Sequence, residues 1–256
     1  MHLETERRGH VLWARLNRPE RMNALSTTIL DGLEAVADEA ERDLAVRCVV
    51  LAGSGRAFCA GADLKERGGM AADERWRYVR RVNAVVARLD QVPVPVIAAI
   101  DGYALGGGVE LVAISDLRLA SRAAVFGLPE ARRGIIAGGS IVRLVRDVSP
   151  ALAARLAYTC DPIDADEALR LGLVDAVYPD TDRLEQEAQA LALRIARNAP
   201  LALRASKRLL RGSQAGFSAA AMTLALEIRA PLEDTADSVE ALRAFAEKRE
   251  PVFEGR

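Results

Sequence analysis

Apolar residues in this chain recur at two spacings, and stretches of one spacing follow stretches of the other. His10 to Leu16 (HVLWARL) alternates as a strand does, and Asn17-Arg18-Pro19-Glu20 closes it as a turn. From Ser26, a fitting N-cap, Ile29, Leu30, Leu33, Val36, Ala37 and Ala40 recur at helical intervals, which predicts a helix to about Glu41. Cys48 to Ala52 (CVVLA) predicts a buried strand, and Gly53, Gly55 and Gly61 mark the loop behind it. A helix from about Ala72 to Leu89 leads through Pro93 and Pro95 into a second buried strand, Val96 to Ile100. Asp101 to Gly108 (DGYALGGG) then opens into an apolar helix start, Val109 to Ile114, and short strands are expected at Leu117 to Ala120 and Ala124 to Gly127.

Past Ser149-Pro150, an N-cap with proline at the first helical position, the pattern turns helical, with one strand-like interruption at Leu173 to Tyr178. Helices are predicted near 182–197, 200–211, 216–229 and 235–248, parted by Pro200, Gly212 and Pro231. Strands first and helices later imply an α/β core, set here at residues 1–195. A helical C-terminal region, 196–256, would pack on that core or on a neighbouring subunit.

Composition narrows the possible functions. A chain of 256 residues, half of them apolar, is enough for a sizeable core. No run approaches the roughly 20 apolar residues of a membrane span, and the first twenty are too charged for a secretory signal. A soluble cytoplasmic protein is expected, with no membrane partner. A formal net charge of −1 removes the usual mark of a nucleic-acid binder. Cys48, Cys59 and Cys160 are scattered and lack CxxC spacing, so buried thiols are expected rather than disulfides or a zinc site. With only His2 and His10 available, a Ser/His/Asp triad or a histidine metal site has little to draw on. Acid–base chemistry would fall to carboxylates.

Three segments could carry chemistry: Arg56 to Glu66 (RAFCAGADLKE), Gly102 to Leu111 (GYALGGGVEL) and Phe126 to Arg133 (FGLPEARR). Neither GxxxxGK[ST] nor GxGxxG occurs in them, which disfavours nucleotide folds. What remains is a pair of strand-to-turn junctions rich in glycine and alanine, where main-chain N–H groups can approach a ligand. Two such amides aimed at one point would make an oxyanion hole. Read alone, Glu110 and Glu130 are equally suited to first helical turns, and Asp63 to capping a short helix.

Taken together, these segments resemble the enoyl-CoA hydratase/isomerase (crotonase) family. The resemblance runs from Asn17-Arg-Pro-Glu-Arg-Met-Asn-Ala-Leu25 through Phe126-Gly-Leu-Pro-Glu130 to Phe245-Ala-Glu-Lys-Arg249. It implies a spiral of repeated ββα units with a helical C-terminal trimerisation region. It also implies an acyl-CoA thioester substrate and no separate cofactor, since coenzyme A is part of that substrate. The amides of Ala62 and Gly107 would hold the thioester oxygen, with Gly107 beginning a helix. Glu110 would hold and polarise a water, and Glu130 would exchange the proton. Met22, Ala24, Ala60, Asp63 and Leu64 would face the adenine and pantetheine parts, with Pro129 and Gly138 near the acyl group. Phe245 and Lys248 would reach the coenzyme A of a neighbouring subunit in a homotrimer or a dimer of trimers.

The implied reaction is hydration of a trans-2-enoyl-CoA. Double-bond isomerisation is the alternative, although isomerases of the family tend to manage with one carboxylate. One departure stands out: Gly134 to Arg143 (GIIAGGSIVR) is a residue shorter than usual and has Ser140 where glycine is common, in what reads as a loop. Arg204, Lys207, Arg208 and Arg211 share one helical face, expected to be solvated. A non-catalytic RNA- or coenzyme A-binding protein using that face is the remaining alternative.

Overall fold

The computed structural model describes residues 2–213 and 218–256. Its first strands, β1 (Leu3–Arg8) and β2 (Val11–Leu16), form an antiparallel pair, and α1 (Thr27–Arg42) follows with Ser26 as its N-cap. Three turns of a repeated strand–strand–helix unit come next. The first holds β3 (Cys48–Gly53), β4 (Ala57–Cys59), α2 (Leu64–Gly68) and α3 (Ala72–Asp90). The second holds β5 (Val96–Ile100), β6 (Tyr103–Leu105) and α4 (Gly107–Ile114). The third holds β7 (Leu117–Ser121), β8 (Val125–Gly127), α5 (Gly138–Asp147) and α6 (Pro150–Thr159). The chain ends through β9 (Ile163–Asp164), α7 (Ala165–Arg170), β10 (Ala176–Tyr178), α8 (Thr181–Ala196), α9 (Pro200–Gly212), α10 (Ala219–Arg229) and α11 (Ala236–Glu247).

Within each unit the first strand joins a six-stranded sheet, ordered β1-β2-β3-β5-β7-β10, and the second joins a four-stranded sheet, ordered β4-β6-β8-β9. Pairing from β2 through β10 in the large sheet is parallel, as it is from β4 to β8 in the small one. The alternation read in residues 10–16 has a specific cause. Leu12, Ala14 and Leu16 enter the main core with α1 and α3. Val11 and Trp13 enter a second core with Leu184, Ala188, Ala192 and Ala196 of α8. Both faces of the sheet are therefore covered, as a parallel sheet requires. Each Leu or Ile so enclosed contributes roughly 1.5–3 kcal/mol.

Four expectations need correction. The strand β1 was not expected, because LETERR carries no apolar alternation: it is an edge strand whose side chains are mostly exposed. The stretch 134–143 is not all loop, since α5 begins at Gly138. Strand structure within 173–178 is confined to Ala176–Tyr178. The basic face of α9 is not solvated. Lys207 is buried, with Nζ bonded to the Val94 carbonyl at 2.8 Å and to Asp116 at 2.7 Å. Arg211 reaches Asp90 at 3.1 Å, Asp116 at 2.9 Å and the Ile114 carbonyl at 2.8 Å. Only Arg208 of that group is exposed. The helix predicted at 216–229 starts in part outside the described residues, and α10 covers its remainder. All three cysteines are buried and free, and burial pushes the Cys48 and Cys59 thiols up to about 12.

Candidate active site

Three neighbouring parallel strands of the small sheet, β4, β6 and β8, end along one edge, and each is followed within three residues by a group singled out from sequence. Ala62 follows β4, Gly107 follows β6, and Glu130 follows β8. Register makes them neighbours, since Cys59 pairs with Ala104 and Leu105 with Gly127.

The loops after β4 and β6 meet closely. Gly61 has φ +85°, and a Cβ there would lie 2.7 Å from the Leu105 carbonyl oxygen and 2.8 Å from the Gly107 nitrogen. A Cβ built on Gly107 would lie 3.4 Å from Gly61 Cα and 3.7 Å from the Ala62 nitrogen. Glycine at 61 is thus required by both conformation and room.

Amides around Ala62 are engaged one after another. Ala60 N donates to the Met22 carbonyl at 2.9 Å, Gly61 N to Cys59 Sγ at 3.5 Å, and Asp63 N to Tyr78 Oη at 3.0 Å. Gly106 N donates to the Gly127 carbonyl at 2.9 Å. Among the described residues, neither Ala62 N nor Gly107 N has a backbone acceptor in the surrounding turns and loops. Gly107 opens α4, where the first N–H groups have no partner within the helix and the helix dipole is positive.

The Glu130 carboxyl sits against this junction, and the Glu110 carboxyl is near enough to feel its charge. The Glu130 carboxyl lies where a side chain on Gly106 would have to go, and the Glu110 carboxyl lies against Gly139 of α5. Glu110 is 5 % exposed and accepts from Arg143 Nη1 at 2.7 Å. Burial raises the Glu110 pKa, the Arg143 guanidinium opposes the rise, and the Glu130 charge adds to it. Burial also raises the Glu130 pKa, against its own backbone N–H and Arg133. Glu130 Oε2 is buried without a hydrogen-bond partner among the described residues. The two acids therefore differ: one is held by a fixed cation, and the other has an open lone pair.

The remaining sequence-derived residues divide into two groups. Met22, in the left-handed region with φ 52°, is joined to Ala60 by the bond above, and the Leu25 amide reaches the Gly61 carbonyl at 2.8 Å, which draws Ala24 alongside. Asp63 caps α2 as expected, accepting from Lys65 N and Glu66 N at 3.0 and 2.9 Å, while Arg18 bonds its other oxygen. Leu64 is exposed at the start of α2, and Pro129 and Gly138 border Glu130 and α5. Phe245 and Lys248 are not brought to this edge: they lie at the end of α11, with Phe245 85 % exposed.

Sequence reasoning missed the residues that support the site. Asn23 is fully buried and holds the turn after β2 by bonds to Arg18 N, Ser54 O and Ala57 O at 2.8, 2.9 and 2.7 Å. Tyr78 ties α3 to the site through Asp63 N and the Leu25 carbonyl. Arg143 was visible only as an isolated cation in an apolar stretch. Nothing in its spacing points to Glu110.

Three parallel strands that end on two free amides and two unlike acids define a class of enzyme, and comparison with known proteins identifies it. The family described as enoyl-CoA hydratase/isomerase matches residues 6–256. The chain is 41% identical over 249 residues to the short-chain-enoyl-CoA hydratase of Clostridium acetobutylicum, covering 95% of this chain and 94% of that one. It is 38% identical over 256 residues to the 2,3-dehydroadipyl-CoA hydratase of Escherichia coli, covering 99% of each. An enoyl-CoA hydratase structure from Bacillus anthracis matches with a TM-score of 0.96 at 36% identity over 100% of both chains. The chain belongs to the enoyl-CoA hydratase/isomerase family and has the crotonase fold.

Proposed function

We propose that this enzyme reversibly hydrates trans-2-enoyl-CoA thioesters to 3-hydroxyacyl-CoA. The observation that carries the reading is the meeting of two free main-chain amides, Ala62 and Gly107, beside the buried Glu110 and half-buried Glu130 carboxylates, whose surroundings differ. The thioester oxygen accepts from both amides. Glu110, paired with Arg143, holds a water and, in its ionised form, takes its proton as the oxygen bonds to the β-carbon. The π electrons move onto the thioester oxygen, where the amides and the α4 dipole stabilise the charge. Glu130, whose pKa burial raises, delivers its proton to the α-carbon, and the proton taken by Glu110 returns to Glu130 through solvent to reset the pair. Two carboxylates favour hydration over isomerisation, which needs one proton carrier.

Coenzyme A would run past Met22, Ala24, Ala60, Asp63 and Leu64. The Ala60 and Asp63 amides are already bonded within the chain, so their contacts with it fall to other atoms. The exposed Leu226, Val239, Leu242 and Phe245 of the C-terminal helices support assembly as a homotrimer or a dimer of trimers, with Phe245 and Lys248 beside a neighbour's coenzyme A. Sedimentation of Leu242→Glu with Phe245→Glu tests this: the native chain should be oligomeric and the variant smaller.

Loss of the conjugated thioester absorbance on incubation with crotonyl-CoA tests the reaction. Glu130→Gln should slow it by about 10²-fold or more. Full activity in that variant would remove the role given to Glu130, and turnover of 3-enoyl-CoA alone would favour isomerisation. The two relatives above are named for different acyl groups, so acyl preference has to be argued from the pocket of this chain.

A further inference from the structure

The segments that leave the site enclose a cavity with walls and charges of its own. Beyond Ala62 and Asp63 the chain enters α2. Beyond Glu130 it passes through a short turn to Gly134 and Ile136, tied back by Ile135 N to the Glu130 carbonyl at 3.2 Å. Between these two segments and the start of α3 lies a cavity of about 550 Å³. Trp76, Val79, Ile135 and Ile136 give it apolar sides. Arg67 and Arg75 are its charged lining, and among the described residues no Asp or Glu lines it.

Acidic residues close in sequence could have answered these two guanidinium groups, yet each is engaged elsewhere. Glu66 accepts from Thr27 N at 3.1 Å and Thr27 Oγ1 at 2.5 Å. Asp73 pairs with Arg77 at 2.7 Å, and Glu74 accepts from Ala71 N at 2.8 Å. Arg75 Nη1 donates to the Met70 carbonyl at 2.8 Å, which leaves most of its five N–H groups. Among the described residues, neither Arg67 nor Arg75 takes part in an ion pair.

We propose that this cavity receives the distal end of the acyl group, and that the preferred acyl group ends in a carboxylate held by Arg67 and Arg75. The proposal rests on the thioester reading, because it places the carboxylate on the molecule whose carbonyl sits at Ala62 and Gly107. Guanidinium and carboxylate pair through parallel N–H···O bonds, a match that a methyl end cannot make. A methyl-ended chain would also displace water from both cations and give them no counter-charge. The apolar sides suit the carbons between the double bond and the carboxylate.

Five- and six-carbon trans-2-enoyl-CoA thioesters, each ending in carboxylate or in methyl, test this on the full-length protein. The carboxylate-ended member should have the higher kcat/KM by about ten-fold or more, the order of one charge-assisted hydrogen bond. High salt should shrink the ratio. Arg67→Met and Arg75→Met should each reduce it, and the double variant should reduce it by about ten-fold. A ratio near one in the native protein, or one that survives the double variant, overturns the proposal while leaving hydration intact. If neither thioester is hydrated, the reaction assigned above fails separately, and calorimetry with the saturated acyl-CoA pair decides. Tighter binding of the carboxylate-ended member, lost in the double variant, supports the proposal; equal binding overturns it.

Discussion

Ser140 Oγ donates to the Gly106 carbonyl oxygen at 3.0 Å, and that carbonyl shares its peptide unit with the Gly107 nitrogen. Glu110 N reaches the same oxygen at 3.2 Å. Donors on the carbonyl polarise the peptide and fix its plane, which strengthens the N–H on the opposite side. This chain therefore has a buried hydroxyl behind the proposed oxyanion donor. Ser140→Ala should lower kcat by about ten-fold with little change in KM, the signature of an interaction felt in the transition state. Steady-state kinetics measures this, and a smaller red shift of a bound cinnamoyl-CoA chromophore would show that carbonyl polarisation has fallen.

The Arg143–Glu110 pair predicts a pH effect. Both side chains are largely buried, at 13% and 7% exposure, so Arg143→Met leaves a carboxylate without its counter-charge. The Glu110 pKa, already raised by burial, should rise further, and the acid limb of kcat/KM should move to higher pH. Removing one member of such a pair costs about 3–5 kcal/mol. Because the folded pKa then exceeds the unfolded value, that loss is felt at neutral pH and relieved as the pH falls and Glu110 protonates. Urea unfolding of the variant at pH 5 and pH 8 would show the difference.

For Glu130 the same linkage gives a gain in stability at the expense of rate. Its carboxyl is raised by burial, so ionisation weakens the folded state progressively as pH rises from the ordinary carboxylate value of about 4.3 through the folded pKa. Glu130→Gln should therefore melt higher than the native protein at pH 8, and the two should converge near pH 4. Equal melting temperatures at both pH values would contradict the burial described for Glu130.

A further prediction concerns α9. Lys207 is held below the ordinary lysine pKa by burial, with Asp116 opposing, and it links α9 to Val94 and Asp116. Lys207→Ala should destabilise the protein by about 3 kcal/mol, leaving the half-buried Asp116 carboxylate with one cation fewer and the Val94 carbonyl without its donor. Amide exchange in α9 should accelerate ahead of exchange in β3 and β5.

How much of this was legible in sequence differed with the kind of signal. Strands β2, β3 and β5 and helix α1 carry strong apolar periods and fall within a residue or two of their expected limits. The edge strand β1 has no period to read, because its pairing is made by main chain and, Leu3 apart, its side chains are largely in water. Glu110, Glu130, Ala62 and Gly107 were found through motif resemblance, and β4, β6 and β8 explain why they are neighbours. The partners of Arg143, Ser140 and Tyr78 were not legible because they lie 33, 34 and 53 residues away. The basic face of α9 was misread for the same reason, since helical spacing shows which residues share a face and not what that face meets.

The proposed oxyanion donors belong to the main chain, and this shapes how the gene can vary. Any codon at position 62 still encodes an N–H unless it encodes proline. Damaging inherited changes at this edge should therefore act by crowding: a methyl at Gly61 meets the Leu105 carbonyl, and one at Gly108 collides with the carbonyl of Cys59. What a substitution there can spoil is empty space, while the reactive atoms come with every residue type but one.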